Sequence, residues 1–178
     1  MIALSLGLGL CLGVVTGMPL GLVNVAIVEA ASAGRVAHAA RLGVGGAIAD
    51  AIHAAVAFVG VGSVVAERVE WKIGGAIATS IVVASYAWRV WQRRKNEHEH
   101  EHDHDRSGLL VGMMLTLPNP AALTAWVAVA AVVWPSIDTA RALVLAGGVG
   151  LGSALWFVAL ARFVSRRAVR VECSRSAG

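Results

Sequence analysis

Five long apolar stretches constrain this chain more than any other feature of its sequence. They cover residues 2–33, 42–65, 73–91, 109–134 and 142–163. A helix of about 20 apolar residues crosses the roughly 30 Å hydrocarbon core of a bilayer, and each stretch is of about that length or longer. Helices are expected because lipid offers no hydrogen-bond partner to open backbone groups. The sequence therefore predicts an all-α integral membrane protein with five transmembrane helices.

The composition agrees with a lipid environment and excludes other classes of protein. Hydrophobic residues make up 57% of the 178 residues and charged residues only 15%, against about 25% charged residues in a typical soluble domain. This excludes a disordered chain and an ordinary soluble enzyme, and the two cysteines lack the spacing of a disulfide scaffold. Neither a Ser-His-Asp order nor a phosphate-binding loop is present, so we do not expect an enzyme. The first 16 residues lack the charged start and cleavage site of a signal peptide, and we expect them to belong to the mature protein.

The basic residues indicate the orientation of the helices. If each stretch crosses once, twelve of the 15 lysine and arginine residues fall on one side and three on the other. The twelve are Arg35, Arg41, Arg89, Arg93, Arg94, Lys95, Arg106, Arg162, Arg166, Arg167, Arg170 and Arg175. Because cytoplasmic loops carry the excess of Lys and Arg, the split predicts a protein of the bacterial inner membrane with its N-terminus outside and its C-terminus in the cytoplasm. We attribute the net charge of +4 to this topology and expect no nucleic acid partner.

Two of the stretches are too long for one straight crossing. Residues 2–33 would measure about 48 Å and residues 109–134 about 39 Å as single helices. Each contains a proline interruption, Gly17-Met-Pro-Leu-Gly21 in the first and Pro118-Asn-Pro120 in the second, and proline kinks or unwinds a helix. Broken first and fourth helices predict an inverted repeat, the layout of many secondary transporters, whose substrate site lies where the broken helices meet. Two unrelated proline kinks are the alternative.

This organisation divides the chain into four parts. Residues 1–91 form the first three-helix repeat, 92–107 a charged His-rich cytoplasmic loop, 108–163 a second, incomplete repeat of two helices, and 164–178 a basic cytoplasmic tail. The patterns Gly13-x-x-x-Gly17 and Gly148-x-x-x-Gly152 predict close packing between helices.

Asp50 is the most informative single residue of the apolar stretches. Counted from Leu42, it lies about 12 Å into the bilayer, near the midplane. An ionised Asp at a helix centre costs roughly 2.5–3.5 kcal/mol on insertion scales, so such residues face a cavity and often serve ions or protons. His53 lies three residues further on and shares the same helical face. We interpret the two as a proton- or cation-responsive pair; an Asp paired with its neighbours for packing specificity is the alternative.

The helix breaks themselves carry the other candidate residues for solute binding or coupling. These are Pro19, Gly21, Asn24, Asn119 and Pro120. An uncharged amide offers donors and acceptors beside unwound backbone, which suits a zwitterionic substrate or a partly hydrated ion. Alternatively, the two amides satisfy backbone groups that proline has freed. We expect Glu29, near the cytoplasmic end of the first stretch, to have a structural role with Arg35.

Three motifs in order resemble the LysE/RhtB (lysine exporter) translocators. Residues 16–24, Thr-Gly-Met-Pro-Leu-Gly-Leu-Val-Asn, resemble the first-helix signature of that family, with Leu22 at the place of its second proline. Gly34-Arg35 followed by residues 42–50 resembles the start of its second helix, and Gly112 with Asn119-Pro-Ala121 resembles its fourth. The resemblance implies a secondary transporter that exports an amino acid or similar small solute. Family members usually have a sixth helix, which we expect this chain to lack.

An alternating run of histidine and acidic residues occupies the loop after the third stretch. It runs from Glu97 to Asp105 and contains His98, His100, His102 and His104. Imidazole nitrogen with oxygen ligands beside it suits zinc, nickel or cobalt, but such a loop cannot build a rigid four-coordinate cage. It therefore predicts weak, exchangeable binding and no required cofactor, and a solvated linker is the alternative.

The loop leaves two further functions open. One is a divalent metal cation exporter that uses the loop as a cytoplasmic collector. The other is a non-transporting membrane protein that binds metal. The expected partners are the lipid bilayer, a small-molecule or ion substrate and a second copy of the chain in a homo-oligomer.

We predict that the loop binds divalent metal weakly and that binding weakens as the pH falls through about 6.5, the ordinary pKa of a histidine side chain. A protonated imidazole has no lone pair to donate, so proton and metal compete. Zinc or nickel titration of the purified protein against pH measures this. The variant with all four tract histidines replaced by Ala should lose the binding, and unchanged binding would instead point to a site in the membrane.

Overall fold

The computed structural model is all-helical in the part of the chain that it describes. The described residues are 2–19, 21–60, isolated positions between 69 and 91, 107–133 and 138–176. The continuously described ranges form six helices, named here in chain order. These are α1 (Ile2–Gly17), α2 (Leu22–Ser32), α3 (Val36–Phe58), α4 (Ser107–Thr116), α5 (Pro120–Val133) and α6 (Thr139–Ser176). The fold class expected from the sequence, an all-α membrane protein, is confirmed.

Both predicted helix breaks are present. α1 and α2 meet at a bend of 71°, and α4 and α5 meet at a bend of 68°. Pro19 lies in the first break, and Pro120 opens α5 after the second. Proline is favoured at the first position of a helix because its missing N–H would have no intrahelical partner there. The sequence thus places both breaks correctly.

The described helices account for up to four of the five predicted crossings. α3 and residues 139–168 of α6 are each long and apolar enough to span a membrane, and each bent pair adds one span if its two helices are counted together. The third predicted crossing, residues 73–91, is described only at isolated helical positions. α6 continues without interruption past Phe163 to Ser176, so the predicted basic tail begins as part of this helix.

A tight turn joins α2 to α3. Gly34 has a φ of +77°, a conformation that glycine adopts without steric cost. Gly34 N–H donates to the Ala31 carbonyl at 3.2 Å and Arg35 N–H to the Ala30 carbonyl at 3.0 Å. This pattern is the Schellman motif, which satisfies carbonyls at a helix C-terminus. Beside it, Arg35 forms an ion pair with Glu29 at 2.9 Å, as the structural role expected for Glu29 requires.

α6 packs against α1, α2 and α3, and its contact with α1 is backbone to backbone. A Cβ at Gly13 would meet the backbone of Val149 and Ser153, and one at Gly148 would lie 2.6 Å from the Leu6 carbonyl oxygen. Both patterns of paired glycines therefore lie at the α1–α6 contact. Close approach of this kind is how small residues hold helices together where lipid supplies no hydrophobic driving force between them.

Among the described residues, buried apolar side chains pack into two clusters. The Ile27 cluster includes Ile27, Leu42, Ala47, Leu115 and Phe157. The Trp126 cluster includes Ala54, Phe58, Trp126, Leu145 and Val149, and within it the rings of Phe58 and Trp126 meet edge to face with centroids 6.4 Å apart. α3 and α6 contribute to both clusters. Asp50 and His53 on α3 and Ser153 on α6 lie in the segments between the two clusters.

We predict that Gly148→Ala destabilises the protein and that Gly147→Ala does not. A methyl group at residue 148 collides with the backbone of α1, whereas a Cβ at Gly147 meets nothing within 4 Å. Overpacking of this kind costs typically about 1–3 kcal/mol, while alanine in place of an open helical glycine gains up to about 1 kcal/mol. Thermal unfolding in detergent measures both. Equal midpoints for the two variants would contradict the backbone contact.

Candidate functional site

A polar layer separates the two apolar clusters. On α3, the Ile27 cluster ends at Ala47 and the Trp126 cluster begins at Ala54, and Asp50 and His53 lie between them. Ser153 lies between Val149 and Phe157 on α6 and is fully buried. We define the polar layer as Asp50, His53 and Ser153. Buried polar groups are costly without hydrogen bonds, so the partners of these three side chains define the site.

Asp50 is partly buried, and its carboxyl interacts with the Ser153 hydroxyl. Ser153 Oγ in turn donates to the Gly13 carbonyl oxygen of α1 at 3.2 Å. Three helices, α1, α3 and α6, are thus linked by polar contacts at one point. No lysine or arginine occurs in α1, α2, α4 or α5, so the described residues offer Asp50 no cation from these helices.

Asn24 holds the first helix break. Its Nδ2 donates to the Gly17 carbonyl at 2.9 Å and to the Pro19 carbonyl at 2.6 Å. A carbonyl can only accept, so the two contacts fix the orientation of the amide. Asn24 is 3% exposed, and within the described ranges its Oδ1 is buried without a hydrogen-bond partner. The amide therefore satisfies the freed backbone with its nitrogen, while its buried oxygen has no hydrogen-bond partner among the described residues.

His53 holds the second helix break. Its Nε2 lies 3.1 Å from the Leu117 carbonyl oxygen, at the end of α4. Because the carbonyl can only accept, Nε2 carries the proton in this contact. In the neutral ring Nδ1 is then an acceptor, and this atom is buried without a partner among the described residues. Each break is thus tied to a side chain whose other polar atom has no hydrogen-bond partner in the part of the chain that the structure describes.

Asn119 has a different role from Asn24. Its Oδ1 accepts a hydrogen bond from the Ala121 N–H at 3.0 Å, the contact of an N-cap at the start of α5. This contact agrees with the second interpretation of the Asn119 amide, in which the side chain satisfies a backbone group beside the proline. Gly21 occupies the N-cap position of α2 without a side-chain cap, and Gly21 and Pro19 are both exposed.

Two residues of the site were missed by reasoning from the sequence. Ser153 is a small residue in a glycine-rich helix and resembles a packing residue. Trp156 lies one turn further along α6, and a Cβ at Gly17 would lie 3.1 Å from its Cδ1. The indole Nε1 is buried and unpartnered in the described structure. No sequence signal marks either residue, because each acquires its role from a helix more than 100 residues away.

The predicted metal ligands lie elsewhere. His98, His100, His102 and His104 fall outside the described residues. Within the described part of the chain, no group of three or more His, Cys, Asp or Glu side chains is close enough to hold a metal ion. Asp50 and His53 therefore do not belong to such a group there.

The two bent helix pairs and the two long apolar helices fit a multi-pass membrane protein. Residues 14–177 match the family described as LysE type translocator, and the chain therefore belongs to this family, as its motifs predict. The family is one of translocators of small solutes rather than of enzymes. No curated protein and no solved structure shows a significant match to the chain.

We predict that Asn24→Asp lowers the thermal unfolding midpoint in detergent and that Asn119→Asp does not. At residue 24 the substitution removes both donors and places carboxylate oxygens against two carbonyls, at a cost of about 1–3 kcal/mol for each group left unpaired. At residue 119 it preserves the acceptor and adds a negative charge at a helix N-terminus, which is favourable. A similar shift for both variants would show that the amide nitrogen of Asn24 does not hold the break.

Proposed function

We propose that this translocator is a proton-coupled secondary exporter of an amino acid or a similar small solute. The observation that carries the proposal is the position of Asp50. It lies on α3 between the two apolar clusters, near the His53 contact with the second break, and it is linked through Ser153 to the helix that enters the first break. Ionisable residues inside a membrane are costly and mark ion or proton pathways.

The unpartnered polar atoms support an amino acid as the class of solute. In the described part of the chain, Asn24 Oδ1 and His53 Nδ1 are buried acceptors without a hydrogen-bond partner, and Trp156 Nε1 is a buried donor without one. An amino acid carries an ammonium group that donates and a carboxylate that accepts, so it complements both kinds of atom. A bare divalent cation uses acceptors only and leaves the indole N–H unpaired.

We further propose that the protein lies in the bacterial inner membrane with its N-terminus outside and its C-terminus in the cytoplasm. The distribution of lysine and arginine supports this orientation. Export then proceeds from the side of the Glu29–Arg35 ion pair toward the side on which α6 begins. A weak metal site on the His-rich loop is compatible with this function, and we assign it no role in export.

We predict that Asp50→Asn inserts normally but loses proton-driven export, and that Asp50→Glu retains part of it. Asn preserves the shape of the side chain and cannot titrate, whereas Glu keeps a titrating group on one extra methylene. Reconstituted vesicles with an imposed proton gradient and a labelled amino acid mixture measure export. Full export by Asp50→Asn would overturn the coupling role, and failure of this variant to insert would favour a purely structural Asp50.

Glu29→Gln is the matched control. It also removes one carboxylate from a helix near a break, but Glu29 pairs with Arg35 outside the polar layer. We expect this variant to export like the parent protein.

A separate experiment identifies the solute. It compares the sensitivity of a deletion strain to amino acid analogues with its sensitivity to nickel, cobalt, zinc and cadmium. Protection against metals alone would favour the metal exporter instead.

A further inference from the structure

Ser153 occupies the point where three helices exchange polar contacts. Its side chain is fully buried. Its hydroxyl donates to the Gly13 carbonyl oxygen at 3.2 Å and also interacts with the Asp50 carboxyl. Gly13 lies one turn before Gly17, the last residue of α1 before the first break. One hydroxyl thus connects the titratable residue of the proposed pathway with the half-helix that leads into the break.

A serine hydroxyl has one hydrogen to donate and two lone pairs to accept with. A carbonyl and an ionised carboxylate both require a donor, so the hydroxyl can satisfy only one of them at a time. A protonated carboxyl brings its own hydrogen. It can donate to Ser153 Oγ while Ser153 donates to Gly13. The protonation of Asp50 therefore decides whether Ser153 is free to hold α1.

We propose that Ser153 is a positioning residue that converts the protonation of Asp50 into a change in the α1–α6 contact. When Asp50 is protonated, the chain of donors runs from Asp50 to Ser153 to the Gly13 carbonyl, and α1 is tied to α6. When Asp50 is ionised, the Ser153 hydrogen turns to the carboxylate, because a hydrogen bond to an ionised acceptor is the stronger one. The Gly13 carbonyl then loses this tie. The inference rests on the proposed proton coupling and adds the residue that transmits it.

The rest of the described structure leaves few competing groups. On α3, His53 is the nearest titratable side chain to Asp50, and it is engaged with Leu117. Among the helices packed around it, α1 carries only Cys11, α2 only Glu29, and α4 and α5 carry none. The titratable residues of α6 nearest to Ser153 in sequence are Arg141 and Arg162, each more than two helical turns away.

The α1–α6 contact includes a side-chain hydrogen bond that can form and break. Elsewhere the two helices meet largely through glycines and backbone atoms, and the Trp156 side chain lies against Gly17. Ser153 supplies the one side-chain hydrogen bond between α1 and α6 that the described residues contain. A change at this point acts directly on the segment that leads to Asn24 and the first break.

The test compares Ser153→Ala with Ser5→Ala. Both replace a buried serine, but Ser5 Oγ has no hydrogen-bond partner in the described structure, so the control removes the same atom without the contact. Each protein is reconstituted, and two rates are measured with the labelled amino acid mixture. One is export driven by a proton gradient, and the other is exchange at equal pH on both sides. Ser153→Cys, which keeps the shape and donates weakly, provides a second variant if Ser153→Ala does not fold.

We expect Ser153→Ala to retain exchange and to lose its response to the gradient, Ser153→Cys to lose part of that response, and Ser5→Ala to keep both rates. A normal response in Ser153→Ala overturns the proposal. Loss of exchange together with gradient-driven export also overturns it, because a residue that only supports the fold affects both rates.

An infrared measurement separates this inference from the proposed function. The carboxylic band that appears on acidification and is missing in Asp50→Asn reports protonated Asp50. We expect this band to shift to higher frequency in Ser153→Ala, since the carboxyl loses a hydrogen-bond partner. An unshifted band overturns the link between the two residues. If the band shifts but the parent protein shows no proton-driven export, the link stands as structure, and both the coupling and the proposed function fail.

Discussion

Backbone groups that leave a helix inside a bilayer have no water to bind, and this requirement organises the structure around the two helix breaks. Proline creates each break by removing a helical donor. At the first break the Asn24 amide binds the carbonyls of Gly17 and Pro19. At the second, the His53 ring binds the Leu117 carbonyl. The side chains that make broken helices tolerable in lipid are therefore the same side chains that bring polar atoms into the bundle.

The close packing of α1 on α6 has a consequence for the same region. Glycine lets the backbones approach until a side chain as short as serine can reach a carbonyl on the neighbouring helix. A larger residue at Gly13 would hold the helices apart and leave Ser153 without this partner. Packing and polar contacts thus depend on each other at the polar layer, which lies between the two apolar clusters.

Several elements were predictable because their causes are local in the chain. Pro19 and Pro120 mark the breaks, which the structure places where the sequence predicts. Gly148 and Gly152 lie at a helix contact, as their spacing indicates. Asp50 was singled out because one carboxylate in a long apolar stretch needs an explanation. The tract that contains His98 to His104 remains a prediction, since it lies outside the described residues.

The sequence by itself determined the class of protein, the positions of the breaks and the family. These follow from the length of the apolar stretches, the chemistry of proline and short sequence motifs, all of which are local in the chain. The tertiary structure alone decided which atoms meet. Ser153 reaches Gly13 across 140 residues, and His53 reaches Leu117 across 64. Trp156 lies against Gly17 for the same reason. Such contacts depend on the rotation and depth of one helix against another, and no local pattern in the sequence encodes them.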